Sequence, residues 1–139
     1  MITAVDTNVL LDVFGDDPRY RARSLSALRR CLAEGELVAC DVVWAEIAAV
    51  FADERAAISA MEAIPVAYAP LTRAAALRAG EAWRAYRARG GPRGRVVADF
   101  LIGAHAALQA DRLLTRDRGF GQMAYAGLVV LDPAADPEP

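Results

Sequence analysis

The chain has 139 residues and a net charge of −2, with 16 basic groups against 18 acidic ones and every basic residue an arginine. That length supports one hydrophobic core without staples, and the lack of lysine excludes a P-loop, a Schiff base and a lysine general base. No apolar run is long enough to span a bilayer, the first residues lack the regions of a signal peptide, and Cys31 and Cys40 form no CxxC pair, so a reduced, cytoplasmic chain is expected.

Ile2-Thr3-Ala4-Val5 is short, apolar and β-branched, the pattern of a buried parallel strand. Asp6-Thr7-Asn8 turns into a short helix over residues 9–14, which Gly15 breaks. Asp17 as N-cap and Pro18 at the first helical position open the next helix, to about residue 34, with Leu25, Leu28 and Leu32 along one face. Residues 37–40 form a second strand, and Asp41 caps a helix over 42–53 that carries Glu46. A helix over 56–63 leads to a third strand at 66–68, and Thr72 caps a long helix to about residue 89. Gly90-Gly91-Pro92-Arg93-Gly94 is a flexible, basic loop. A helix over 96–109, a strand at 112–115 and a last strand at 128–131 follow. Strands alternating with helices give an α/β fold with a central, mostly parallel sheet. One domain is expected over residues 1–132, followed by a tail, 133–139, that is flexible or lies on the surface.

In an open parallel sheet, ligands bind beyond the carboxyl ends of the strands. Asp6 and Asp117 each occupy such an end, and Glu46 and Asp99 each interrupt a strongly apolar helix in an early turn. Buried carboxylates are costly unless paired or bound to a cation. Four of them, in a chain whose only histidine is His105, point to an oxygen-ligand site for Mg²⁺ or Mn²⁺. Gly103, four residues after Asp99 on the same face, is expected to admit another backbone beside it. His105 falls on the opposite side of that helix and is assigned to the core or an interface; a two-histidine ribonuclease mechanism within one chain is excluded. Trp44 and Trp83 offer stacking surfaces, although packing against alanine-rich helix faces is the expected role. Charge is unevenly spread: residues 73–118 hold ten arginines and four acids, a net of +6, and the remainder is −8. Within the basic segment, Arg93, Arg95, Arg116 and Arg118 are candidates to grip the phosphates of a phosphate backbone, with a solvated surface as the alternative for each.

The segments ITAVDTNVLLD, VVWAEIAAVF, VVADFLIGAHA and LLTRDRGF resemble, in order, the four acidic motifs of PIN-domain ribonucleases, particularly VapC-type toxins of bacterial toxin–antitoxin pairs. The match spans residues 2–131. It implies a PIN-like three-layer α/β/α fold and a metal-dependent endoribonuclease, a hydrolase of RNA phosphodiester bonds. It further implies a cognate antitoxin protein that holds the enzyme inactive, and a homodimer. By motif, Asp6, Glu46, Asp99 and Asp117 would be the catalytic and metal-binding acids, with Asn8 and Thr115 as polar support. Asp6 and Asp99 are the candidates for direct ligands, with Asp117 direct or through water, and Glu46 a ligand or the group that orients the attacking water. The loop 90–95 matches no motif. The alternative is a catalytically inactive PIN-like RNA-binding or protein-interaction module, against which the intact set of acids argues. A phosphatase or receiver domain is disfavoured, since the haloacid-dehalogenase-like motif wants an aspartate where Asn8 stands and both families rely on lysine. A DNA or flap-type nuclease is disfavoured by the short chain, which has no added substrate-binding domain.

Overall fold

The computed structural model describes residues 1–92, 95–123 and 125–135. Among these, five strands form one sheet: β1 (Ile2–Val5), β2 (Glu36–Ala39), β3 (Val66–Tyr68), β4 (Arg112–Leu114) and β5 (Val130–Leu131). Their order is β3-β2-β1-β4-β5, and every pairing is parallel. The sheet is the middle layer of three, flanked by α1 (Thr7–Phe14), α2 (Arg21–Glu34), α3 (Asp41–Ala48), α4 (Glu54–Ala63), α5 (Arg73–Ala88) and α6 (Val97–Gln109). Ala4, Val5, Leu37, Val38, Ala39, Leu113 and Leu114 are all at most 5% exposed. Strands covered on both faces have no polar side to show, which is why they read as unbroken apolar runs.

Strand order decides where a site can form. The chain leaves β1 to build β2 and β3 on one side, then returns to lay β4 against the other edge of β1. Connections that diverge in this way leave a crevice at the carboxyl ends of the two central strands. Val5 stands opposite Leu114, and Asp6 N–H donates to Leu114 O at 2.9 Å. Asp6 and Thr115 therefore leave the sheet side by side.

Several boundaries move for identifiable reasons. Helix α1 starts at Thr7 because the Asp6 carboxylate caps it, accepting from Thr7 N–H at 2.7 Å. Asp17 does not start α2; it accepts from both Arg19 and Tyr20 N–H at 2.9 Å, closing a turn, and the helix begins at Arg21. Asp41 is the first residue of α3 and not its cap, and that helix stops at Ala48. Beyond it Phe51 meets Phe14 edge-on at 5.7 Å, and Asp53 caps α4 by accepting from Ala56 N–H at 2.8 Å. Thr72 caps α5 as its sequence position requires. A 3-10 helix, Arg118–Met123, follows β4 without a sequence signal that announced it.

Two expectations need correction. The tail does not begin flexibly at residue 133: Pro133–Ala135 form a 3-10 turn with Pro133 buried. Arg23 of α2 donates to Ala134 O at 2.8 Å, and Asp132 accepts from Ala134 N–H at 2.9 Å; residues 136–139 lie outside the described residues. Gly103 admits a ring and not a backbone, since a Cβ there would fall 2.6 Å from Cε2 of Tyr125. That tyrosine is locked in place by its hydroxyl, which donates to Phe100 O at 2.6 Å. His105 is in the core, where burial lowers its pKa, and both cysteines are buried and free. Among the described residues no helix is long and apolar enough to cross a membrane.

Candidate active site

The crevice beyond β1 and β4 holds a continuous chain of polar contacts that links all four acids. Thr7, first residue of α1, donates its hydroxyl to Glu46 Oε1 at 2.8 Å, while its N–H serves Asp6. Asp6 Oδ2 accepts from Thr115 Oγ1 at 2.7 Å and from Asn8 Nδ2 at 3.2 Å. Thr115 Oγ1 in turn accepts from Asp117 N–H at 3.0 Å and from Asn8 Nδ2 at 3.3 Å. Asn8 completes the brace by accepting from Arg116 N–H at 3.2 Å. Asn8 and Thr115 each touch Asp6.

Asp117 and Asp99 meet through a cation. Arg95 donates Nη2 to Asp117 Oδ1 at 2.6 Å and Nη1 to Asp117 Oδ2, a two-pronged pair, and Nη1 also lies 3.9 Å from Asp99 Oδ2. The backbone makes room for this guanidinium, because a Cβ on Gly119 would fall 1.3 Å from Arg95 Nη2. Asp99 sits in the first turn of α6, where its carboxylate also accepts from Val96 N–H at 3.3 Å. Negative charge is favoured at a helix N-terminus, so the first turn of α6 suits a carboxylate at this position beside the crevice.

The electrostatics follow from burial. Asp6 is 8% exposed and its pKa is raised to about 6, chiefly by burial, with the charges of Asp117 and Asp99 adding to it against the lowering effect of the Thr115 and Thr7 hydrogen bonds. Arg95 does the opposite for Asp117, holding that carboxyl below its ordinary value. Four carboxylates facing one guanidinium leave an excess of negative charge, which adds to the larger effect of burial on Asp6.

The arginine candidates separate. Arg95 belongs to the acid cluster itself. Arg116 does not face the crevice with its side chain: it makes two bonds to Asp12, at 2.7 and 2.8 Å, and stacks on Tyr20 at 3.9 Å. Arg118 is exposed and lies 3.6 Å from Asp132. Arg93 lies outside the described residues. Trp44 packs edge-on against Tyr68 at 5.7 Å, whereas Trp83 is half-buried under the guanidinium of Arg87 at 4.5 Å.

Among the described residues no group of three or more acid, histidine or cysteine side chains is arranged to hold a metal ion. The donor set nonetheless fits a hard divalent cation: carboxylate and hydroxyl oxygens only, with surplus negative charge around a buried Asp6. Arg95 holds both Asp117 oxygens, so a metal ion taking that carboxylate competes with the guanidinium.

The sequence matches the family model of the PIN domain over residues 3–125, a span that contains all four acids. The chain belongs to the PIN-domain family. Solved structures agree on the fold. A chain of the VapBC2 complex from Rickettsia felis, bound to a DNA fragment from its promoter, overlays with a TM-score of 0.74 at 16% identity, covering 95% of this chain and 98% of that one. A chain of VapBC-1 from nontypeable Haemophilus influenzae gives 0.71 at 21% identity, covering 96% and 99%. A chain of a toxin–antitoxin complex from Klebsiella pneumoniae gives 0.68 at 21%, covering 94% and 97%. No curated protein matches the sequence.

Two residues of this PIN domain carry more than their sequence positions suggested. Thr7 joins Asp6 to Glu46, and its place between Asp6 and Asn8 at a helix start was the available signal. Asp12 is an acid inside an apolar helix, the same signal that marks Asp99, yet it turns away to Arg116 and to Ser24, whose hydroxyl donates to it at 2.6 Å.

Proposed function

We propose that this PIN domain is a metal-dependent endoribonuclease that hydrolyses RNA phosphodiester bonds and acts as the toxin of a toxin–antitoxin pair. The observation that carries the reading is the unbroken path from Glu46 through Thr7, Asp6, Thr115, Asp117 and Arg95 to Asp99, built at the crevice between β1 and β4. Asp6, Asp99, Asp117 and Glu46 would hold Mg²⁺ or Mn²⁺. When bound, the ion supplies Lewis acidity at the phosphodiester and offsets the negative charge of the pocket.

The chain's own groups have distinct tasks. Asp6 is braced by three donors, so its carboxylate keeps one orientation. Glu46 is exposed, with Oε1 fixed by Thr7, and its other oxygen is the acceptor for a proton from the attacking water. Arg95, once released from Asp117, would meet a phosphate beside the scissile bond. His105 is 1% exposed in the core and takes no part in proton transfer at the crevice.

Partners follow the same line. The complexes that share this fold include VapBC pairs and a toxin–antitoxin complex, which supports a cognate antitoxin protein as the regulator; a homodimer as the working form belongs to the same reading. The test is incubation of the purified protein with total cellular RNA and Mg²⁺ or Mn²⁺, followed by mapping of new 5′ ends. Discrete, EDTA-sensitive cleavage that is lost in Asp99→Asn supports the reading. RNA left intact by the parent protein in either metal favours the inactive RNA-binding or protein-interaction module.

A further inference from the structure

Beside the acid cluster a cleft of about 410 Å³ opens between the end of α5 and the start of α6, lined by Trp83, Tyr86, Arg87, Gly91, Arg95 and Val96 among others. We infer that this cleft is a nucleobase subsite, in which the base of a nucleotide adjoining the scissile phosphate stacks against Trp83. The inference rests on the ribonuclease reading above, and it assigns to the α5–α6 edge a role that the four acidic motifs do not contain.

Its floor is preformed. Tyr86 is buried, its hydroxyl donates to Pro92 O at 2.9 Å, and its ring meets Phe100 edge-on at 5.3 Å. Gly91 lies flat against that ring, since a Cβ there would fall 2.4 Å from Tyr86 Cζ. The wall is adaptable by contrast: Trp83 is half-buried with Arg87 on one face, and Val96 and Val97 are exposed although both are large and apolar. An aromatic face beside exposed aliphatic surface is costly in water and suits a flat, partly apolar occupant.

Position and charge select a nucleotide as that occupant. Arg95 lines the cleft and holds Asp117 of the acid cluster, so a chain with a phosphate at the acids passes directly into the cleft. Arg87 and Arg95 offer two guanidiniums at the cleft, complementary to a polyanion. Stacking on an aromatic ring tolerates any base and needs no edge-specific donors, which matches a wall of tryptophan, valine and arginine.

Fluorescence anisotropy with short labelled oligoadenosine and oligouridine, in Ca²⁺ to limit cleavage, tests the assignment. Trp83→Ala should weaken oligoadenosine binding roughly tenfold or more, whereas Trp83→Phe should keep most of the affinity. An abasic ribose-phosphate oligomer should bind the parent weakly and Trp83→Ala no more weakly. Equal binding of oligoadenosine by parent and Trp83→Ala overturns the subsite, as does an equal loss for the abasic oligomer. If Trp83→Ala instead leaves RNA binding intact and loses a cognate protein, the cleft is a protein dock and the inference is wrong. A parent protein that binds neither oligomer and leaves RNA uncut defeats the ribonuclease reading itself, an outcome distinct from a parent that cleaves RNA with Trp83 silent.

Discussion

Two arginine–aspartate pairs flank the end of β4, alike in geometry and opposite in consequence. In the first, Arg116 grips Asp12 with two bonds, Ser24 adds a third, and Tyr20 stacks over the guanidinium. Asp12 is 3% exposed and no second acid competes for its arginine in those contacts. In the second, Arg95 grips Asp117 just as closely, yet both groups are partly exposed and Asp99 shares the same nitrogen. The first pair is a strut that ties the chain after β4 to α1 and α2. The second is a counter-ion in a pocket with more negative charge than it can neutralise. Pairing geometry is therefore a poor guide to role; burial and the number of competing acids separate structure from chemistry.

The largest expected effect breaks the strut. Asp12→Ala leaves the half-buried Arg116 without its carboxylate and the buried Ser24 hydroxyl without its acceptor, and chemical denaturation should show a loss of about 3–5 kcal/mol. A loss under about 1 kcal/mol would show that the pair behaves like an exposed ion pair.

A somewhat smaller effect comes from pH. The folded pKa of Asp6, about 6, lies above its ordinary 3.8, so the folded state binds the extra proton between those values. Its contribution is fully present below about pH 4 and is lost as pH rises through about 6, to a limit of about 3 kcal/mol. Asp117, lowered by Arg95, has the opposite sense: its contribution is present above the ordinary carboxylate range and fades as pH falls through its folded pKa. Metal-free melts should show stability declining from about pH 4 to about pH 7, and Asp6→Asn should flatten that decline. A parent and an Asp6→Asn protein with parallel pH curves would show that Asp6 is not the buried carboxyl whose proton this slope reports.

Smaller still is the effect of releasing the counter-ion. Arg95→Gln should cost the metal-free protein no more than about 1 kcal/mol, because the pair is partly solvated. The smallest effect is Asp99→Asn. It loses one long contact to Val96 N–H but relieves like-charge repulsion, so the melting temperature without metal should stay level or rise. A clear drop would assign Asp99 to helix capping alone.

Local rules made much of the fold legible. The strand at residues 2–5, the caps at Asp6 and Thr72 and the parallel sheet follow from apolar runs and capping chemistry that act over a few residues. The placing of Asp6 and Asp117 at strand ends was legible for the same reason. What sequence did not expose are contacts between distant positions. Asp12 and Arg116 are 104 residues apart, Arg95 and Asp117 are 22 apart, and nothing local says which arginine each acid meets. A basic residue near an acidic motif reads as a phosphate ligand until its partner is seen, and Arg116 shows how the partner changes the reading. The stop of α3 at Ala48 was hidden likewise: Phe51, just beyond it, meets Phe14 across the fold, a contact no local pattern announces.

Calorimetric titration of Mn²⁺ into the parent, Asp99→Asn and Arg95→Gln proteins bears most directly on the claim that the four acids form a cation site guarded by their own arginine. Saturable binding to the parent is expected, weakened at least about tenfold by Asp99→Asn, a loss of some 1.4 kcal/mol, and tightened by Arg95→Gln as the competitor for Asp117 is removed. Mn²⁺ binding that is absent from the parent, or that neither substitution alters, would contradict it.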